Sequence, residues 1–175
     1  NNVETIIYFY INAHRSRNIG DASWLSNLNK FSRRGHLSLP YADLDKDGIL
    51  IRNNPSEYIK LPFREYSALV TRIEKKIMRM KFFSQYNDKT EILYKILIEM
   101  KKLSKNNSSK FFFINLDSDK EYFLSYENFF KINNINFADC GYSNITDEYR
   151  VKNDGHPNHK LHKIYAACIY ESVFE

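Results

Sequence analysis

The chain reads as an α/β protein built on a parallel sheet, on two kinds of observation. Apolar runs of strand length recur: Thr5-Ile-Ile-Tyr-Phe-Tyr-Ile11, Lys110-Phe-Phe-Phe-Ile-Asn-Leu116 and the shorter Asn134-Ile-Asn-Phe-Ala138. Continuous apolar runs suit strands covered on both faces, as in parallel sheets. Between them lie longer segments with helical apolar spacing, and this alternation marks the α/β class.

At 175 residues, 43% of them apolar and many aromatic, the chain is long enough to fold as one domain with its own core. The abundance of Asn, Lys, Ile, Tyr and Phe is attributed to base composition in the source genome. The net charge of +5 is not gathered into one block. Lys75-Lys76, Arg79, Lys81 and Lys101-Lys102 lie on helix-like segments and read as solvated faces, so nucleic acid is not an expected partner. Cys140 and Cys168 have no metal or redox spacing and leave the compartment open between bacterial cytoplasm and periplasm. No apolar run is long enough to span a bilayer, and no signal peptide is present. The chain starts Asn-Asn-Val and enters a strand almost at once, which reads as a piece of a longer protein with a segment missing on its N-terminal side.

In order, the first strand runs into Asn12-Ala-His14-Arg15-Ser-Arg17-Asn18. Polar residues just past the carboxyl end of a parallel strand sit where open α/β sheets bind ligands. Residues 24–31 read as a short surface helix or loop. Residues 36–54 read as a hairpin insertion, with Asp47-Gly48 between apolar runs as its turn. Asp43-x-Asp45-x-Asp47-Gly48 copies the start of a calcium loop. Asn54 stands where the bidentate Glu belongs, and the flanks read as strands, so calcium is not expected. A helix over 63–83 has Leu69, Ile73, Ile77 and Met80 on one face, with its cations toward the C-terminal end, which the helix dipole favours. A second helix over 91–105 aligns Ile92, Ile96, Met100 and Leu103, and Asn106-Asn107-Ser108-Ser109 stops it. A third covers 119–131, and the last strand ends at Asp139. The clusters at Phe111–Phe113 and Phe129-Phe130 read as core packing.

Near the C-terminus, Asn153-Asp154-Gly155-His156-Pro157-Asn158 forms a turn before a helix carrying Leu161, Ile164, Tyr165, Cys168, Ile169 and Val173. Pro157 suits the first helical position, where its missing N–H would be unbonded anyway. An acid two residues from a histidine can serve a hydroxyl nucleophile, the imidazole taking the proton and the carboxylate orienting it; on the spacing alone the pair reads as a solvent-exposed turn with an incidental His. His156, His159 and His162 are spaced by threes, which drifts around a helix, so a zinc site is the minor reading and no metal is expected.

The Asp-Gly-His-Pro-Asn stretch, the amphipathic helix after it and its place at the chain end resemble the last block of the SGNH/GDSL hydrolases. In that family the block completes a Ser-His-Asp triad. The resemblance implies that His156 is the general base and Asp154 its orienting acid. Tyr10-Ile11-Asn12 followed by Arg17-Asn18 resembles the family's Asn block and makes Asn12 the first candidate for an oxyanion donor. His14 is the second, with Arg17 beside it as a substrate or oxyanion candidate. Tyr10 stands where the family has Gly, and Ala13 where Asp often follows. Gly20-Asp21-Ala22-Ser23 is not the nucleophile block, because that block precedes the Asn block and lacks the extra residue before Ser23.

The hairpin resembles an insertion seen in a subset of the family. The implied fold is the C-terminal half of a three-layer, flavodoxin-like parallel sheet over residues 1–175. Two of the family's blocks, those of the nucleophilic Ser and the second oxyanion Gly, are missing from the chain. The implied activity is ester hydrolysis on acyl groups of a carbohydrate or small alcohol, with no cofactor. The alternative is a catalytically degenerate α/β domain kept for binding.

Overall fold

In the computed structural model, residues 3–21, 24–25, 38–56, 60–82 and 89–175 are described. The chain forms two compact units, residues 1–12 with 98–175, and residues 13–97.

The first unit holds a three-stranded parallel sheet of β1 (Thr5–Tyr10), β4 (Lys110–Asn115) and β5 (Asn136–Asp139), in the order β1-β4-β5. Thr5 pairs with Lys110 and Phe112 with Asn136, so all three strands end together at one edge. The central strand β4 is the most buried: Phe113 and Ile114 are fully covered. The expectation that β1 is covered on both faces needs correcting. β1 is the end strand among those described, and Phe9 stays exposed while Tyr10 is buried. Helix α4 (Lys120–Ile132) covers the sheet with Phe123, Tyr126 and Phe130. Phe113 and Phe130 stack with ring centroids 4.6 Å apart, and the Tyr10 ring lies 5.1 Å from that of Phe113. Asn134, at φ 49°, ends α4: its N–H returns to Lys131 O and that of Ile135 to Phe130 O.

The last helix, α5 (His159–Phe174), buries Leu161 and Tyr165. Cys168, halfway along it, forms a disulfide with Cys140, just past β5, a pairing that the cysteine spacing does not reveal. Pro157 is not the first helical residue. Asn158 caps the helix instead, its side-chain oxygen accepting from the N–H of Lys160 at 2.9 Å and of Leu161 at 3.4 Å. Pro157 lies one residue earlier, in a bridge to Arg150.

The second unit holds α1 (Ala13–Asn18) and an antiparallel hairpin of β2 (Leu39–Leu44) and β3 (Leu50–Ser56). The hairpin falls within two or three residues of its predicted bounds, and residues 36–37 lie outside the described ones. Asp45 closes its turn by accepting the N–H of Asp47 and Ile49, with Gly48 at φ 72°. Ser23, and residues 26–31 of the segment 24–31 read as a short surface helix or loop, also lie outside the described residues.

Helix α2 spans Ala68–Phe82, not 63–83; Phe63 and its neighbours form a turn before it, and Phe83 is not described. Its aligned residues Leu69, Ile73, Ile77 and Met80 are exposed, and among its described side chains the buried ones are Glu74 and Met78. Glu74 turns inward because it has partners: it accepts the Leu61 N–H at 2.8 Å and pairs with Arg64 at 3.3 Å. In α3 (Lys89–Asn106) the covered residues are Ile92, Leu93, Leu97 and Ser104, whereas Leu103 is exposed, so the buried stripe is turned from the predicted one.

Candidate active site

A loop held by backbone bonds presents Asp154 and His156. Val151 N–H donates to His156 O at 2.8 Å, and the N–H of Asp154 and of Gly155 both return to Val151 O. This tight reversal requires left-handed backbone at Asn153 (φ 63°) and Gly155 (φ 78°), which Asn and Gly tolerate best. Arg150 donates to Gly155 O at 3.2 Å, while the Asn158 amide donates to Glu148 O and Arg150 O. Lys160 pairs with Glu148 at 2.7 Å and holds its carboxyl below the usual range. The helix cap, the loop and the short turn Asp147–Tyr149 are thus tied to one another through Asn158.

Within this frame His156 Nδ1 donates to Asp154 Oδ1 at 2.5 Å. The bond places the proton on Nδ1 and leaves the lone pair on Nε2, the arrangement of a general base. Both side chains are open to solvent, His156 at 77% and Asp154 at 56%.

Asn12 follows β1 at the carboxyl edge of the sheet, and its backbone N–H donates to Asp117 Oδ2 at 2.7 Å. Its side-chain oxygen is buried with no hydrogen-bond partner among the described residues. No hydrogen bond among them joins Asn12 to Asp154 or His156. His14 and Arg17 belong to the second unit, on α1. His14 is half-buried, and its pKa is lowered by burial and then by the Arg17 charge. His159 and His162 are exposed, and among the described residues no three His, Cys, Asp or Glu side chains come together as a metal site.

Sequence reasoning missed the polar network at the carboxyl edge. Asn115, 1% exposed, donates to Asp139 Oδ1 at 2.8 Å and to Asp117 O, and accepts the Asp117 N–H. It links the ends of β4 and β5. Asp117 in turn holds the Asn12 N–H, and the Tyr165 hydroxyl donates to Leu116 O at 3.2 Å. Burial, with the Asp117 charge adding to it and Arg150 opposing, raises the Tyr165 pKa. Gly141 donates to Asp139 and sits so close to Asp117 that a Cβ there would lie 1.9 Å from the Asp117 carbonyl oxygen. The available signal was Asn115 itself, a polar residue closing an otherwise apolar strand. A cavity of about 280 Å³ opens at the opposite end of the sheet, where Lys110 starts β4 and Asn136 starts β5, and takes no part in this network.

Compared with family models, curated proteins and solved structures, the chain matches none of them.

Proposed function

We propose that the chain is the C-terminal part of an SGNH-type serine ester hydrolase. The substrate class is an acyl ester of a carbohydrate or small alcohol. The observation that carries the reading is the Nδ1–Oδ1 hydrogen bond between His156 and Asp154, in a braced turn directly before α5. The parallel sheet and the polar residues at its carboxyl edge agree with it.

In this mechanism a serine on a segment preceding these residues attacks the ester carbonyl. His156 Nε2 takes the serine proton as the new C–O bond forms, and the imidazolium is steadied by Asp154. The carbonyl electron pair moves onto oxygen, where the Asn12 amide donates a hydrogen bond to the oxyanion. Collapse expels the alcohol, which leaves with the proton from His156. Water then repeats the sequence on the acyl-enzyme and releases the acid.

The test is fluorophosphonate labelling of the full-length protein. Wild type is expected to label on serine, and His156→Ala to lose the label. Undiminished labelling of His156→Ala sinks the mechanism. A second reading, a degenerate binding domain, draws on Tyr10, whose buried ring lies 3.4 Å, oxygen to oxygen, from the Tyr126 hydroxyl where the family has Gly. A folded wild type that takes no label favours that reading.

A further inference from the structure

Helix α2 turns its best-aligned apolar residues away from its own core. Leu69 is 67% exposed, Ile73 45%, Ile77 46% and Met80 72%. At about 100° per residue these four fall within a quarter of the helix circumference. The turn that leads into the helix adds two more exposed side chains, Phe63 at 72% and Tyr66 at 88%. Phe63 is held at φ 64°, a conformation that a bulky residue rarely adopts. Its carbonyl accepts the N–H of Tyr66 and of Ser67, so the turn is an ordered entry to the helix. Scattered exposed apolar residues are ordinary, but four along one helix face, with two exposed aromatic residues in the turn just before it, mark an interaction surface.

The charges beside the row indicate what covers it. The sequence of α2 contains five cations, Arg72, Lys75, Lys76, Arg79 and Lys81, against one acid. That acid, Glu74, is buried and paired with Arg64, so it does not neutralise the exposed face. Arg72, Lys75 and Lys76 are exposed, against the single exposed acid Glu65 in the preceding turn. Apolar and aromatic side chains along one line, with Lys and Arg beside them, are the arrangement of a helix lying in a bilayer interface. The rings of Phe63 and Tyr66 suit the headgroup level. No helix among the described residues is long and apolar enough to cross a membrane, so the contact is with one leaflet.

We propose that the outer face of α2, with the Phe63–Tyr66 turn, docks on a membrane leaflet containing anionic phospholipid. The apolar row enters the acyl boundary, and Arg72, Lys75 and Lys76 meet the phosphate and carboxylate headgroups. Each cation near an anionic surface adds about fivefold to affinity. This docking does not depend on the hydrolase reading.

The experiment is co-sedimentation of the full-length protein with vesicles of phosphatidylcholine alone and of phosphatidylcholine with phosphatidylserine. Wild type is expected to pellet with the anionic vesicles and to be released by salt. Leu69→Gln with Met80→Gln is expected to weaken binding by about tenfold or more. Lys75→Gln with Lys76→Gln is expected to do the same on anionic vesicles. All four positions are exposed, and melting curves check that the variants fold. As a second readout, Tyr66→Trp is expected to shift its emission to the blue on anionic vesicles. No pelleting and no blue shift overturn the proposal, as does equal binding by wild type and both double variants. A wild-type dimer that becomes monomeric in Leu69→Gln/Met80→Gln places a second copy on the row and also overturns it.

Discussion

Asp154 and His156 expose more than half of their surfaces to water, so the hydrogen bond between them adds little to folding stability. Replacing Asp154 by Asn is therefore expected to leave the melting temperature within about 2 °C of wild type. In the proposed hydrolase the same change is expected to lower kcat by about 10³–10⁴-fold, because an amide no longer fixes the proton on Nδ1. Turnover of a chromogenic acyl ester, with a melt alongside, separates the two effects. His14 has the reverse character. Its folded-state pKa lies below the ordinary 6.5, so the unfolded chain holds a proton there that the folded chain rejects. The stability it contributes is complete above that value and is lost as pH falls through the lower one. Melts from about pH 8 to about pH 5 are expected to show this loss, and His14→Gln to flatten it. The Asp154–His156 pair was legible in the sequence because both members lie in one turn. The Asn12–Asp117 and Asn115–Asp139 links were not, because each joins segments remote in the chain.

Among the elements, α5 is tied down twice, by the Asn158 cap at its start and by the Cys140–Cys168 disulfide midway. The bridge spans 28 positions, a loop for which chain entropy gives about 3.5 kcal/mol. Reduction, or Cys168→Ser, is expected to lower the unfolding free energy by about that amount in urea titrations with and without reductant. Neither cysteine sits in a recognisable spacing, so the bridge emerges only once β5 and α5 are placed together. The longer helices and the strands were legible to within about five residues, because apolar period depends on local chain geometry, but the short polar helix α1 (Ala13–Asn18), with no apolar period, was not. Which face a helix buries was less legible. In α2 a paired Glu74 goes inward and an apolar row stays outside, against the usual preference. Period alone does not register that a carboxylate has an Arg64 to meet.

Across the molecule, a parallel sheet brings the ends of three strands to one edge, and there Asn12, Asn115, Asp117 and Asp139 form one polar network. The α/β class followed from strand and helix alternation, and the separate hairpin from its Asp-Gly turn. The triad as a whole lies beyond these residues in the proposed reading. The 175-residue chain alone is therefore expected to take no fluorophosphonate label where the full-length protein does. Gly141 has a consequence for how this edge changes over evolutionary time. A side chain there would collide with the Asp117 carbonyl, and Asp117 holds both the Asn12 N–H and the Asn115 amide. Drift at position 141 is thus blocked unless the loop after β4 moves first. A descendant that had made that move would have surrendered the Asn12 tether with it, so a residue other than Gly at this position is a mark of a remodelled edge.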